Sequence, residues 1–150
     1  MKYSKQIIIA LPRAEVFNKL EDPAYLKYWQ QGFISFISLG DQRGAVGSRA
    51  KLKYKIGHRE IVIIETVTKR VFPKKLHVIY ESEGVFNSQK SYFEEEPDNS
   101  TLWITDNEFK FSGFMRIIGF LKAGSFKKQT QQFMEDFKAF AEEGKRIDKN

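Results

Sequence analysis

A single long helical stripe closes this chain. Phe126, Thr130, Phe133, Phe137, Phe140 and Ala141 recur at helical spacing as far as about Glu143. At 1.5 Å per residue that piece is roughly 28 Å long. Almost everything before it alternates with period two, as strands do. A chain with many half-buried strands and one amphipathic rod has one economical way to bury both: the rod lies on one face of the sheet, as a two-layer α+β domain.

The order of elements can be followed residue by residue. Residues 3–10 read as a first strand, with Tyr3, Lys5, Ile7 and Ile9 on one face. Pro12 then suits the first turn of a short helix, where a missing N–H costs nothing, and Val16, Phe17 and Leu20 form its apolar face. Asp22-Pro23 repeats the device, Asp as N-cap and Pro just inside, before Tyr25, Leu26, Tyr28 and Trp29. The period returns to two from Gly32: strands are expected at Phe33–Leu39, at Ala50, Leu52, Tyr54 and Ile56 alternating with Lys51, Lys53 and Lys55, and at Glu60–Val71, Leu76–Ser82, Val85–Glu95 and Leu102–Phe111. The Gly-rich segment 40–47 lacks the Gly-Lys-Ser/Thr ending of a phosphate loop and reads as a hairpin connection. Phe114, Ile117, Ile118 and Leu121 begin the helical period, which Ala123-Gly124-Ser125 is expected to kink or break. Residues 1–145 form one domain by this reading, and 146–150 a flexible tail.

Composition excludes several chemistries. There is no cysteine, so there is no thiol nucleophile, Cys-based zinc site or disulfide framework. The two histidines show no HExxH or HxH spacing, and no Gly-x-Ser-x-Gly elbow occurs. The net charge of +6 is dispersed. Lys51, Lys53 and Lys55 share one solvated strand face, and Glu94-Glu95-Glu96 with Asp98 oppose a uniform positive field, so no nucleic-acid groove is expected. The apolar run Ile7–Leu11 is too short for a signal peptide and no run reaches a membrane span, which points to a cytoplasmic protein. Asn99-Ser100-Thr101 matches a glycosylation sequon and reads as a turn.

Alternating charges assign the strand faces. Asp106, Glu108 and Lys110 face water, so Trp103, Thr105, Asn107, Phe109 and Phe111 face inward; Lys90 points out, so Gln89, Ser91 and Phe93 point in. An inner face that mixes aromatic rings with uncharged polar groups suggests a cavity whose contents meet those groups. The candidate lining is Leu52, Tyr54, Val78, Tyr80, Gln89, Ser91, Phe93, Trp103, Thr105, Asn107, Phe109, Phe126 and Phe133. Tyr54, Tyr80 and Asn107 are placed to orient a polar ligand group; the alternative is tyrosine hydroxyls bonded to backbone.

This arrangement resembles the helix-grip (SRPBCC) superfamily of START lipid-transfer domains, polyketide cyclases and birch-pollen-type allergens. The resemblance rests on Ile7–Phe17 with its Pro-x-x-x-Val-Phe passage, the Asp22-Pro23…Trp29 helix, Gly44-Ala45-Val46-Gly47-Ser48-Arg49, Pro73-Lys74-Lys75-Leu76 and the long C-terminal helix, and spans nearly the whole chain. It implies a seven-stranded curved antiparallel sheet gripping the C-terminal helix around an apolar cavity. The superfamily hosts carriers, cyclases and partner-binding proteins, so fold alone does not assign function.

Three functions are therefore weighed. The first is binding or carrying a small hydrophobic ligand: a lipid, quinone, isoprenoid or polyketide-like molecule. The second is a cyclase/dehydratase-like enzyme without metal, and the third a cochaperone-like protein-binding module. His58 reads as a turn residue and His77 as a surface residue, and Asp106 with Glu108 as a solvated face. No catalytic residue, cofactor or metal is assigned. Residues 114–124 read either as a lid hinged near Gly124, able to touch a membrane transiently, or as an ordinary buried helix whose glycines permit close packing.

Overall fold

The computed structural model describes residues 1–40 and 44–147. Strand β1 (Lys2–Ile9) leads into helix α1 (Arg13–Glu21), a 3-10 turn (Pro23–Tyr25) and helix α2 (Leu26–Trp29). Strands β2 (Phe33–Ser38), β3 (Arg49–Ile56), β4 (Arg59–Val71), β5 (Lys75–Ser82), β6 (Val85–Glu95) and β7 (Thr101–Phe111) follow, then helices α3 (Met115–Leu121) and α4 (Ala123–Glu143). All seven strands form one antiparallel sheet in the order β1-β7-β6-β5-β4-β3-β2. The fold is the expected helix-grip architecture, with α4 resting on β1, α1 and α2.

Local chemistry sets the element ends. Asp22 Oδ1 accepts the Ala24 N–H at 2.9 Å, so the Asp-Pro pair starts the second helical segment as its sequence suggests. Pro12 stands one place earlier than expected, as the extended residue before α1, its carbonyl accepting the Glu15 and Val16 N–H groups. Gly32 must be glycine: it has φ +74°, and a Cβ there would meet the Lys55 carbonyl oxygen at 2.3 Å. Two bulges re-aim side chains. The ladder slips at Ile34 in β2 and at Thr68 in β4, so Lys69 turns out while Arg70 turns in.

The fully buried core gathers at one end of the inner face. Phe137 is enclosed, its ring edge-on to Trp29 at 5.2 Å and Trp103 at 5.4 Å. Phe17 packs on Phe93 at 5.4 Å, and Ile9, Val16 and Met134 complete the cluster. Met134 belongs to the helix stripe although its spacing did not single it out.

Three expectations need correcting. The helical break falls at Lys122, not at 123–125: its N–H ends α3 on the Ile118 carbonyl, and its own carbonyl accepts Ser125 and Phe126 in the first turn of α4. Gly124 lies inside that turn with open space around it. The alternative of α3 as a buried helix fails as well. Phe114 is 75%, Phe120 85% and Leu121 71% exposed; only Gly119 is buried, against the Phe111 ring. Ile56, expected inside, is half exposed at the end of β3. Past the end of α4, the Ile147 N–H bonds the Tyr28 carbonyl at 2.9 Å, and the Arg146 guanidinium lies 3.9 Å from the Tyr28 ring centre. Residues 148–150 and the 41–43 portion of the Gly-rich hairpin connection lie outside the described residues.

Candidate functional site

Strand register lines up the inner face in rows. Ala50, Glu65, Tyr80, Asn87 and Phe109 are successive cross-strand partners on β3 to β7. The next row runs Val67, Val78, Gln89, Asn107 and Tyr3. These rows lie away from the Phe93–Trp103 row, where the core is densest. Here α4 presents Phe126, 5.2 Å from Phe109 and 5.3 Å from Phe111, and Thr130, bonded to the Tyr3 hydroxyl at 2.6 Å. At this end Ile63, Glu65, Tyr80, Gln89, Phe109 and Phe126 are only half-buried, although they face the helix layer.

The expected lining residues divide between two environments. Phe93 and Trp103 stack at 6.3 Å inside the packed core, and Ser91 accepts the Trp103 indole N–H at 3.2 Å. Thr105 donates to Met134 Sδ at 3.8 Å and accepts from Asn107 Nδ2 at 3.1 Å; Gln89 Nε2 donates to Asn107 Oδ1 at 3.4 Å. Several polar groups that suggested a ligand thus have protein partners. Tyr54 is bonded neither to backbone nor to an open space: its hydroxyl donates to Gln30 Oε1 at 2.6 Å. Leu52 and Val78 are buried; Tyr80, Phe109, Phe126 and Phe133 keep accessible surface.

The sequence reading missed Glu65. It stands opposite Tyr80 on the neighbouring strand, and among the described residues no cation pairs with it. Burial pushes its pKa up to about 7; the neighbouring Tyr80 hydroxyl opposes that shift, and the charge of Glu21 adds to it. Burial and the nearby Glu65 charge raise both Tyr54 and Tyr80. Glu21 is itself engaged by Arg70 through two bonds of 2.5 and 2.8 Å, with the guanidinium 5.2 Å from the Phe17 ring centre. A signal for Glu65 existed: Glu60 and Glu65 are five apart on one strand, so a period of two sends one of them inward.

Chemistry elsewhere is sparse. His77 lies on the outer face against Tyr92, and burial together with Lys90, Lys69 and Lys75 lowers its pKa. His58 sits in the β3–β4 turn. Among the described residues no three His, Asp or Glu side chains converge as metal ligands. A surface depression of about 250 Å³ between the β5–β6 turn and the end of β7 is lined by Glu81, Phe86, Lys110 and Phe111, and by none of the expected lining residues.

No family profile and no curated protein matches this chain. Solved structures do. A conserved protein from Geobacillus kaustophilus is 21% identical with TM-score 0.75, covering 94% of this chain and 95% of its own. Ara h 8.0201 is 11% identical with TM-score 0.73, covering 94% and 97%. DynU16, from the dynemicin biosynthetic locus, is 14% identical with TM-score 0.72, covering 98% of this chain and 50% of that one. At these identities the likeness is one of fold. Sheet order, helix placement and these neighbours agree: the chain has the helix-grip fold that these solved structures share.

Proposed function

We propose that the protein binds a small, largely apolar molecule between the sheet and the N-terminal half of α4. One observation carries this reading: inward-facing side chains at that end, Tyr80, Phe109 and Phe126 among them, remain half-buried, whereas α4 encloses Met134 and Phe137 at the opposite end. Aromatic and aliphatic walls with a few fixed polar groups are what such sites use. An eight-carbon chain buried there gains roughly 6 kcal/mol at about 0.8 kcal/mol per methylene. Association and ordering offset part of that, which leaves a micromolar range of affinity. The lipid, quinone, isoprenoid and polyketide classes all meet this requirement.

The same reading gives α3 a role. An apolar helix with Phe114, Ile117, Phe120 and Leu121 in solvent, resting on the sheet through Gly119, is the cover that moves when ligand enters, and the surface that touches a membrane transiently. Among the described residues no helix is long and apolar enough to cross a membrane. Native mass spectrometry of the purified protein tests the proposal: a co-purifying small molecule, or uptake of an added octyl compound, supports it, and a protein that takes up neither contradicts it.

A second reading, a cyclase/dehydratase-like enzyme, is favoured by one feature. A carboxyl whose pKa stands near 7 is equally fit to give or to take a proton at neutral pH. In that case Glu65→Gln abolishes turnover.

A further inference from the structure

We propose that α3, with the start of α4, docks the protein on the surface of an anionic lipid bilayer. Phe114, Ile117, Phe120 and Leu121 enter the boundary of the acyl chains while the cations around them meet the headgroups. The inference builds on the role given to α3 above, names the surface it meets, and does not need the ligand pocket to be occupied.

The packing of α3 leaves its apolar side uncovered. Met115 and Gly119, one turn apart, hold the helix to the sheet. Met115 packs on Gly84, in the β5–β6 turn, so closely that a Cβ there would meet its Cγ at 2.7 Å, and Gly119 is buried against the Phe111 ring. Phe114, Ile117 and Leu121 recur at i, i+3 and i+7 on the side turned away, with Phe120 beside them, and all four stand in solvent. Ordinary helices of this fold size bury such a stripe; one left in water marks a surface that binds something apolar.

Charge names the partner. From residue 109 to residue 134 the sequence holds no Asp or Glu. Arg116 lies within α3, Lys122 ends it, and Lys127 and Lys128 follow at the start of α4. All four are exposed, and among the described residues none of them forms an ion pair. Glu83 sits next to Gly84, in the turn that α3 rests on and not on the outward stripe. An apolar stripe accompanied by Lys and Arg is what a helix lying on an anionic leaflet uses: the rings and aliphatic chains enter below the headgroups, and the cations stay among them. A second copy of the chain is the poorer partner, because a two-fold contact through α3 sets these cations against their own copies.

The test is sedimentation of the full chain with vesicles of phosphatidylcholine alone and of phosphatidylcholine with phosphatidylglycerol at about 2:1. Wild type is expected to bind the anionic vesicles at least about tenfold more tightly, and to lose most of that preference in about 0.5 M salt. Lys127→Gln and Lys128→Gln each weaken binding to anionic vesicles about fivefold. Phe120→Ser changes a side chain that stands outside the packed core, and weakens it about tenfold. The indole added by Phe120→Trp is quenched by brominated acyl chains far more than the wild type, whose Trp29 and Trp103 are buried. Equal binding to both vesicles, binding that Phe120→Ser leaves unchanged, or no binding overturns the proposal. So does a dimer in gel filtration that Phe120→Ser dissolves, which gives the stripe to a second copy. Native mass spectrometry with 1-octanol and octylamine as octyl probes reports on the pocket separately. Uptake without vesicle binding removes this inference alone; vesicle binding without uptake keeps it and removes the pocket.

Discussion

Tyr80 on β5 stands directly opposite Glu65 on β4, both on the inner face of the sheet, and among the described residues no cation pairs with that acid. The sheet supplies the geometry without any loop. Register places the two residues opposite one another, with Ala50 flanking Glu65 on the other side. Burial raises the pKa of the acid, and the neighbouring Tyr80 hydroxyl limits the rise.

Glu65 makes folding stability depend on pH in an unusual direction. Its pKa is about 7 when folded and 4.5 when free, so between those values the folded chain holds a proton that the unfolded chain releases. Stability from this group is complete below about pH 4.5, declines as pH rises towards about 7, and is level above. The total is at most about 3 kcal/mol. Glu142 acts in the opposite sense at lower pH: despite its burial it is held down by the Ala10 N–H and Lys138. The difference between wild type and Glu65→Gln therefore isolates the effect. Urea unfolding of both at pH 5 and pH 8 is expected to show a smaller loss of stability in the variant across that interval.

Arg70 serves Glu65 at one remove. Arg70→Ala frees the Glu21 charge and removes the guanidinium from the Phe17 and Phe72 rings. The expected cost is about 2 kcal/mol, discounted for a pair that keeps some solvent contact. The Glu65 titration, followed by carboxyl-carbon NMR, moves to higher pH. Arg70→Lys restores the charge without the two-pronged geometry and recovers part of both effects.

The packed end of the molecule answers to Phe137. It is fully buried between Trp29 and Trp103, and Phe137→Ala is expected to cost about 3–5 kcal/mol in urea unfolding. Phe126→Ala, at the half-buried end, is expected to cost about half as much, and to reduce uptake of the octyl probes far more.

Gly119 holds α3 to the sheet. A Cβ there meets three atoms of the Phe111 ring at 2.4–2.7 Å, too close for either side to give without moving the helix. Gly119→Ala is expected to speed amide hydrogen exchange across residues 115–121 about tenfold, with residues 126–141 unchanged. In wild type the same segment is expected to exchange faster than α4 and to slow when octanol is bound.

Element order, strand count and the burial of Leu52, Tyr54 and Trp103 were legible because clean alternation of lysine or acid with apolar residues fixes a face. The strand Arg59–Val71 was not, because its outer face carries Val62 and Ile64 as well as Glu60, and the bulge at Thr68 reverses parity before Arg70. That hid Glu65, the most perturbed acid on the inner face. The break at Lys122 escaped for a related reason: Gly124 is the weaker helix former, yet in this fold the chain turns where α3 must leave the sheet, and tertiary contact outweighs propensity. The polar pairs Ser91–Trp103 and Asn107–Thr105 show how a core accepts such groups once each has a partner.

The central claim is that the half-buried end of the inner face holds a ligand. Isotope-filtered NMR on the wild-type chain with bound 1-octanol tests it most directly. The account predicts intermolecular NOEs from the octyl chain to Val78, Phe109 and Phe126, and from its terminal CH₂OH to Tyr80. NOEs confined to Phe114, Ile117, Phe120 and Leu121 on the outside of α3, or none at all, would contradict it.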